Sequence, residues 1–154
     1  MKTRFEGIEV NIDETTYVVS YSFATPKQKE EIEALSKTDD EANENYLKHT
    51  NEMQILEAKR TNNEALIPHL EGAEKVEVLK EQKEVISKIE KLIPKLEKAG
   101  KHQLSQDTAT KKYELLVGGV DKDRLREDAL KLNIPISVVI NEILQGVIKA
   151  KEKK

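Results

Sequence analysis

The feature that most constrains this chain is a seven-residue recurrence of aliphatic side chains in its middle. Val78, Val85, Leu92 and Ala99 repeat every seven residues, Leu79, Ile86 and Ile93 run beside them, and Ile89 and Leu96 complete the face. A strand repeats every two residues and cannot keep such a row on one side, so the spacing predicts a helix over about 73–99. Pro94 sits inside it and, lacking an amide donor, should kink it or end it early. Gly100 supplies a natural stop. The apolar face is wider than a two-stranded seam. It predicts a further neighbour, either an N-terminal β-hairpin or a second subunit.

A partner helix precedes it. Thr38-Asp39-Asp40-Glu41 has the form of a capping box with acids at a helix start. Ala42, Tyr46, His49, Met53, Leu56 and Arg60 then fall at alternating spacings of four and three, one coiled-coil stripe. Asn62-Asn63 loosens the pattern, Pro68 breaks it and Gly72 permits a reversal, so the two helices are expected to form an antiparallel hairpin. Upstream, Thr25-Pro26-Lys27-Gln28 reads as the start of a short helix carrying Ile32 and Leu35 and stopping near Ser36. Residues 4–24 alternate as strands. Val10 and Ile12 share one face, Tyr17, Val19, Tyr21 and Phe23 another, and the polar run from Asp13 to Thr16 closes a β-hairpin. Two strands alone are marginal in water, so this hairpin must pack on a helix or a partner chain.

Composition narrows the fold and the chemistry. Charged residues make up 36% of the chain and aromatic ones 4%, against roughly 25% charged in an average globular protein. A thick β-sandwich is thereby excluded, whereas long solvated helices fit. The absence of cysteine removes disulfides, thiolate zinc sites and cysteine nucleophiles. No apolar run approaches the roughly 18 residues of a membrane helix. The start MKTRFEGIEVNIDE lacks a signal-peptide core, so a cytoplasmic protein without a membrane partner is expected. His49, His69 and His102 are scattered without metal-ligand spacing, and no phosphate-binding glycine loop occurs. Acids such as Asp39-Asp40-Glu41 fit helix capping better than a calcium loop, and Gly118-Gly119 reads as a strand-to-helix turn. The expectation is a non-enzyme with no cofactor and no metal.

Charge divides the chain. Residues 111–154 hold ten Lys/Arg against seven Asp/Glu, a net +3, which leaves −6 for residues 1–110. Residues 100–112 show no period and read as a linker. Beyond it Tyr113, Leu115 and Val117 alternate as a short strand. Asp121 can cap a helix carrying Leu125, Ala129 and Leu132, and Asn133 suits a left-handed helix end. Pro135 interrupts, and Ser137 can cap a second helix with Ile140, Ile143, Leu144, Val147 and Ile148 inward. The terminal run from Lys149 to Lys154 is either a phosphate contact or a solvated basic tail.

This strand-helix-helix order, with Leu125, Ala129, Leu132, Asn133-Ile134, Ser137, Val139-Ile140-Asn141-Glu142 and Leu144, resembles a ribbon-helix-helix domain over about 40 residues. The resemblance implies dimerisation through paired strands, a ribbon in the DNA major groove and phosphate at the second helix's amino end. It would make Tyr113, Leu115, Val117, Leu125, Ala129, Leu132, Val139, Ile140, Ile143, Leu144 and Val147 a dimerisation core. It would place Lys111, Lys112, Glu114 and Leu116 at the groove, with Asn133 and Ser137 near phosphate. The sequence departs from the family at Glu114, at Gly118-Gly119 and at Pro135-Ile136. A rival alignment makes Ala129 to Val139 the turn of a helix-turn-helix.

The expected fold is therefore mainly α with a small β component. Residues 1–100 would form a β-hairpin plus helical-hairpin body, 101–112 a linker, and 113–154 the ribbon-helix-helix-like module. The expected function is a dimeric protein binding double-stranded DNA, as a transcription repressor, partition protein or DNA-processing accessory factor, with a protein-interaction surface on the acidic hairpin of residues 40–99. The alternative is a structural, assembly or adaptor protein whose C-terminal module only dimerises.

Overall fold

In the computed structural model, which describes residues 3–152, β1 (Arg4–Ile12) and β2 (Thr15–Ser22) pair antiparallel across the turn Asp13-Glu14. Asp13 adopts φ 53°, as tight hairpin turns require. One extra residue in β1 between Phe5 and Ile8, with Gly7 at φ 66°, makes a bulge. The bulge returns Phe5 to the side of Ile8 and Val10, and all three are buried with Tyr17, Val19 and Tyr21. A two-residue strand, β3 (Val117–Gly118), pairs with Ser20 and Tyr21 and completes a sheet of order β1-β2-β3. The fold is mainly helical with this small sheet, as expected.

Helix α1 (Pro26–Glu33) starts with a complete capping box. Thr25 Oγ1 accepts from the Gln28 amide, and the Gln28 side chain accepts from the Thr25 amide. Helix α2 (Ser36–Leu66) begins two residues before the expected cap at Thr38. A 3₁₀ turn over Ile67–His69 and Gly72 at φ 68° reverse the chain into α3 (Gly72–Leu104), matching the expected break at Pro68 and reversal at Gly72. Pro94 lies inside α3 and does not end it early, because Pro94 is exposed and the Glu90 carbonyl left without a donor can bond to water. The expected stop at Gly100 fails, since α3 runs on to Leu104.

The expected linker is helical. After α3 ends at Leu104, α4 (Asp107–Leu116) follows at once and covers most of the expected strand. Ala109, Tyr113 and Leu116 are buried at helical spacings of four and three, and this face outweighs the short alternation of Tyr113, Leu115 and Val117. Gly118 ends β3 and Gly119 opens the strand-to-helix turn into α5 (Lys122–Lys131), and α6 (Ile136–Glu152) ends the described chain. Between them Asn133 takes φ 58°. The Asn133 amide bonds to the Leu130 carbonyl and the Ile134 amide to Ala129, a Schellman motif with Asn in the left-handed position. Asp121 does not cap α5 with its side chain; its carboxylate accepts from the Val18 amide of β2 instead.

The chain forms two compact units, Met1–Asp40 with His102–Lys154, and Glu41–Lys101. The boundaries thus fall at 40/41 and 101/102, and the C-terminal helices share one core with the N-terminal hairpin. Helix α6 packs on β1, α5 on β2, and α4 on α6. Gly146 permits the closest approach, since a Cβ there would stand 2.6 Å from Ile8 Cγ2. At the other edge Gly119, at φ 100°, lets β3 approach β2, where a Cβ would stand 3.0 Å from Val19 Cα. The second unit is the helical hairpin of α2 and α3.

Candidate functional site

The residues assigned to a DNA groove are not presented as a ribbon. Lys111, Lys112, Glu114 and Leu116 lie on α4, not on a strand, and Leu116 is only 4% exposed. Glu114 is engaged within the chain: its carboxylate lies 3.5 Å from Arg126 and its carbonyl accepts from Lys122 Nζ. Asn133 and Ser137 are exposed, at the turn between α5 and α6 and in the first turn of α6. The pairing partner of β3 is this chain's own β2. The residues assigned to a dimerisation core are mostly buried, but against each other and the N-terminal sheet. Tyr113, Val117, Leu125, Ala129, Val139, Ile140, Ile143 and Val147 belong to the intrachain core, Leu115 and Leu144 pack partly against it, and Leu132 is exposed. This core closes without a partner chain.

Of the terminal basic run, Lys153 and Lys154 lie outside the described residues. Lys151 sits 4.6 Å from the centre of the Phe23 ring, which pins the end of α6 to the hairpin.

A polar cluster around Asp39 joins parts of the chain that are distant in sequence. This residue lies in the first turn of α2 and is 4% exposed. Its carboxylate oxygens reach residues more than sixty positions away. Oδ1 accepts from the Asp107 amide (2.7 Å) and lies 3.1 Å from His102 Nε2, and Oδ2 accepts from the amide and hydroxyl of Thr108 (2.9 and 2.7 Å). Asp39 therefore caps α4 from outside, placing negative charge at the amino end of that helix. Burial alone would raise its pKa. The bonds from Thr108, then Asp107 and His102, outweigh burial and hold it below the ordinary carboxylate value. Asp39, His102 and Asp107 are close enough to suggest a metal site, with candidate ligand atoms within 4.8 Å. Each Asp39 oxygen already has two polar neighbours, however, and the arrangement is accounted for as a structural knot. The expected capping role of the acids at 39–41 is thus met by one of them, on a different helix.

Two further polar anchors tie the first unit together. Tyr17 donates to Asp128 at 2.5 Å, and that bond, with burial, raises the phenol pKa. Tyr113, wholly buried, donates to the Lys122 carbonyl at 2.5 Å, and burial pushes its pKa up to about 12.

In the second unit the predicted stripes meet along the hairpin. Val85, Ile89 and Leu92 of α3 are buried, and near the turn a polar layer replaces the apolar one. Asn63 Nδ2 donates to Gln82 Oε1 at 3.0 Å, and Gln82 Nε2 donates to the Arg60 carbonyl at 3.1 Å. Asn63 and Gln82 are buried, so a shift of one helix along the other would leave buried amides without partners. The extra row Leu79, Ile86 and Ile93 stays exposed, at 47, 40 and 42%.

The side of α3 roughly opposite that row carries a pattern that the apolar periodicity concealed. Glu74, Glu77, Glu81 and Glu84 are followed by Lys88, Lys91, Lys95 and Lys98, all at alternating spacings of three and four. They form one exposed stripe, acidic in its first half and basic in its second. Among the described residues none of the eight joins an ion pair. Beside the basic half lies a groove of about 350 Å³ between α2 and α3, floored by Ile55, Leu56 and Leu92 and rimmed by Glu52, Lys88, Lys91 and Lys95.

Comparison with protein-family models, with curated proteins and with solved structures finds no match. Among the described residues no helix is long and apolar enough to cross a membrane.

Proposed function

We propose that this chain is a non-enzymatic assembly protein that works by self-association through the outer face of its helical hairpin. The observation that carries the reading is the divided stripe on α3: eight exposed charges in heptad register, none in an ion pair among the described residues. Helix electrostatics do not account for it. Acids near a helix start and bases near its end are favourable, but that effect fades beyond the first and last turns. The other faces of α3 break the rule as well, with Lys75, Lys80 and Lys83 in its first half and Glu90 and Glu97 in its second. Segregation confined to one face suits recognition of another helix, as flanking charges choose partners in coiled coils.

The first unit supports this reading by closing its own core. The hairpin carries this charge stripe, and beside its basic half Ile55 of α2 is exposed in the apolar groove. Sedimentation velocity of the full chain at about 50 mM and about 1 M salt tests the proposal, because exposed charge pairs are screened by salt. A dimer or larger species that weakens at high salt is expected. A monomer across the accessible concentration range at low salt would overturn the reading.

A further inference from the structure

The stripe on α3 is a palindrome of charge. Paired with itself in reverse about Ile86, it sets Glu84 beside Lys88, Glu81 beside Lys91, Glu77 beside Lys95 and Glu74 beside Lys98. Every acid meets a base, and a two-fold axis produces the same pairs twice. A parallel pairing in register would set Glu against Glu and Lys against Lys along the whole stripe. We infer that the partner of this face is a second copy of the chain, its α3 antiparallel to the first and centred on Ile86, held by these four charge pairs and their symmetry mates. This rests on the self-association proposed above and fixes its face, direction and register.

The apolar groove fits the same register. Within one hairpin the Asn63–Gln82 bond sets the level of α2 against α3, and by that count Leu66 is level with Leu79. Leu66 is 49% exposed and two heptads from Glu52 on the same face of α2. The two-fold operation about Ile86 carries the level of residue 79 to that of residue 93. That is within the groove floored by Ile55, Leu56 and Leu92. An exposed leucine of each copy thus reaches the apolar groove of the other, and Ile55, 58% exposed, is covered as well. Charge sets direction and register, and the two leucine-in-groove contacts supply the apolar burial that surface charge pairs alone do not.

Charge reversal tests the inference in the full chain, with circular dichroism confirming that each variant is folded. Lys88→Glu with Lys91→Glu turns four attractive contacts per dimer into repulsive ones and is expected to weaken dimerisation about 100-fold at low salt. Adding Glu81→Lys and Glu84→Lys restores complementarity. The fourfold variant should dimerise with itself yet fail to form mixed dimers with the unaltered chain. A wild-type dimer indifferent to the double reversal, or a fourfold variant that mixes freely with wild type, would overturn this register while leaving self-association standing. A wild-type monomer would instead overturn the underlying proposal.

Discussion

Replacing Asp39 by Ala removes the carboxylate that caps α4 and leaves the amides of Asp107 and Thr108 without their acceptor. Loss of an N-cap costs about 0.5–2 kcal/mol. Hydrogen bonds to a charged acceptor contribute about 1.5–3 kcal/mol each but do not add when they share one carboxylate. With the Thr108 hydroxyl and His102 also losing their partner, the expected loss is about 3 kcal/mol. Asp39→Asn keeps an acceptor oxygen but loses the charge, so about half that loss is expected. The assay is urea unfolding followed by helical circular dichroism, with the midpoint shift read at constant slope. Acid adds a second readout. The folded pKa of Asp39 is depressed, so its contribution is fully present above the unfolded value near 3.8 and fades as pH falls through the lower folded value. Wild type should therefore lose stability in that acidic window more steeply than Asp39→Asn. An Asp39→Ala protein within about 0.5 kcal/mol of wild type, the range of ordinary surface substitutions, would refute the capping argument. Identical acid profiles for wild type and Asp39→Asn would refute the assignment of charge.

Two glycines should be intolerant for separate reasons. Gly146→Ala places a Cβ 2.6 Å from Ile8 Cγ2, and about 1–3 kcal/mol of destabilisation is expected from overpacking. Ile8→Ala in the same chain should recover part of that loss, which a double-mutant cycle in urea measures; strict additivity would contradict the contact. Gly119→Ala meets both a φ of 100° and the Val19 backbone. It should cost at least about 2 kcal/mol and show faster amide exchange along β3. Tyr113→Phe removes the bond to the Lys122 carbonyl and should cost about 1–3 kcal/mol in thermal or urea unfolding, without the volume loss of an alanine.

What was legible in the sequence was local. The Thr25/Gln28 capping box, the Pro68-to-Gly72 reversal and the left-handed Asn133 each depend on a few adjacent residues and stand where the pattern put them, and the hairpin turn expected within Asp13–Thr16 is Asp13-Glu14. The heptads of α2 and α3 were readable for the same reason. What failed depended on distant partners. Helix α4 has the local pattern of linker and strand, because its cap, Asp39, comes from a separate part of the chain. The union of the N-terminal sheet with α4, α5 and α6 was invisible because its decisive contacts, such as Ile8 beside Gly146, join opposite ends of the sequence. The groove-facing ribbon disappeared with the strand that was to form it. The charge stripe was in plain view, but charge summed over long segments hides an order confined to one face of one helix.

The most direct test uses the chain's lack of cysteine. A single nitroxide label attached through Ala73→Cys, at the exposed start of α3, reports on the second copy by pulsed electron–electron dipolar spectroscopy at low salt. Antiparallel pairing about Ile86 sets position 73 level with position 99 of the other copy, so two labels should lie roughly 40 Å apart at 1.5 Å of rise per residue. A distance of roughly 10–20 Å, as neighbouring parallel helices would give, or no intermolecular coupling at all, would contradict the account.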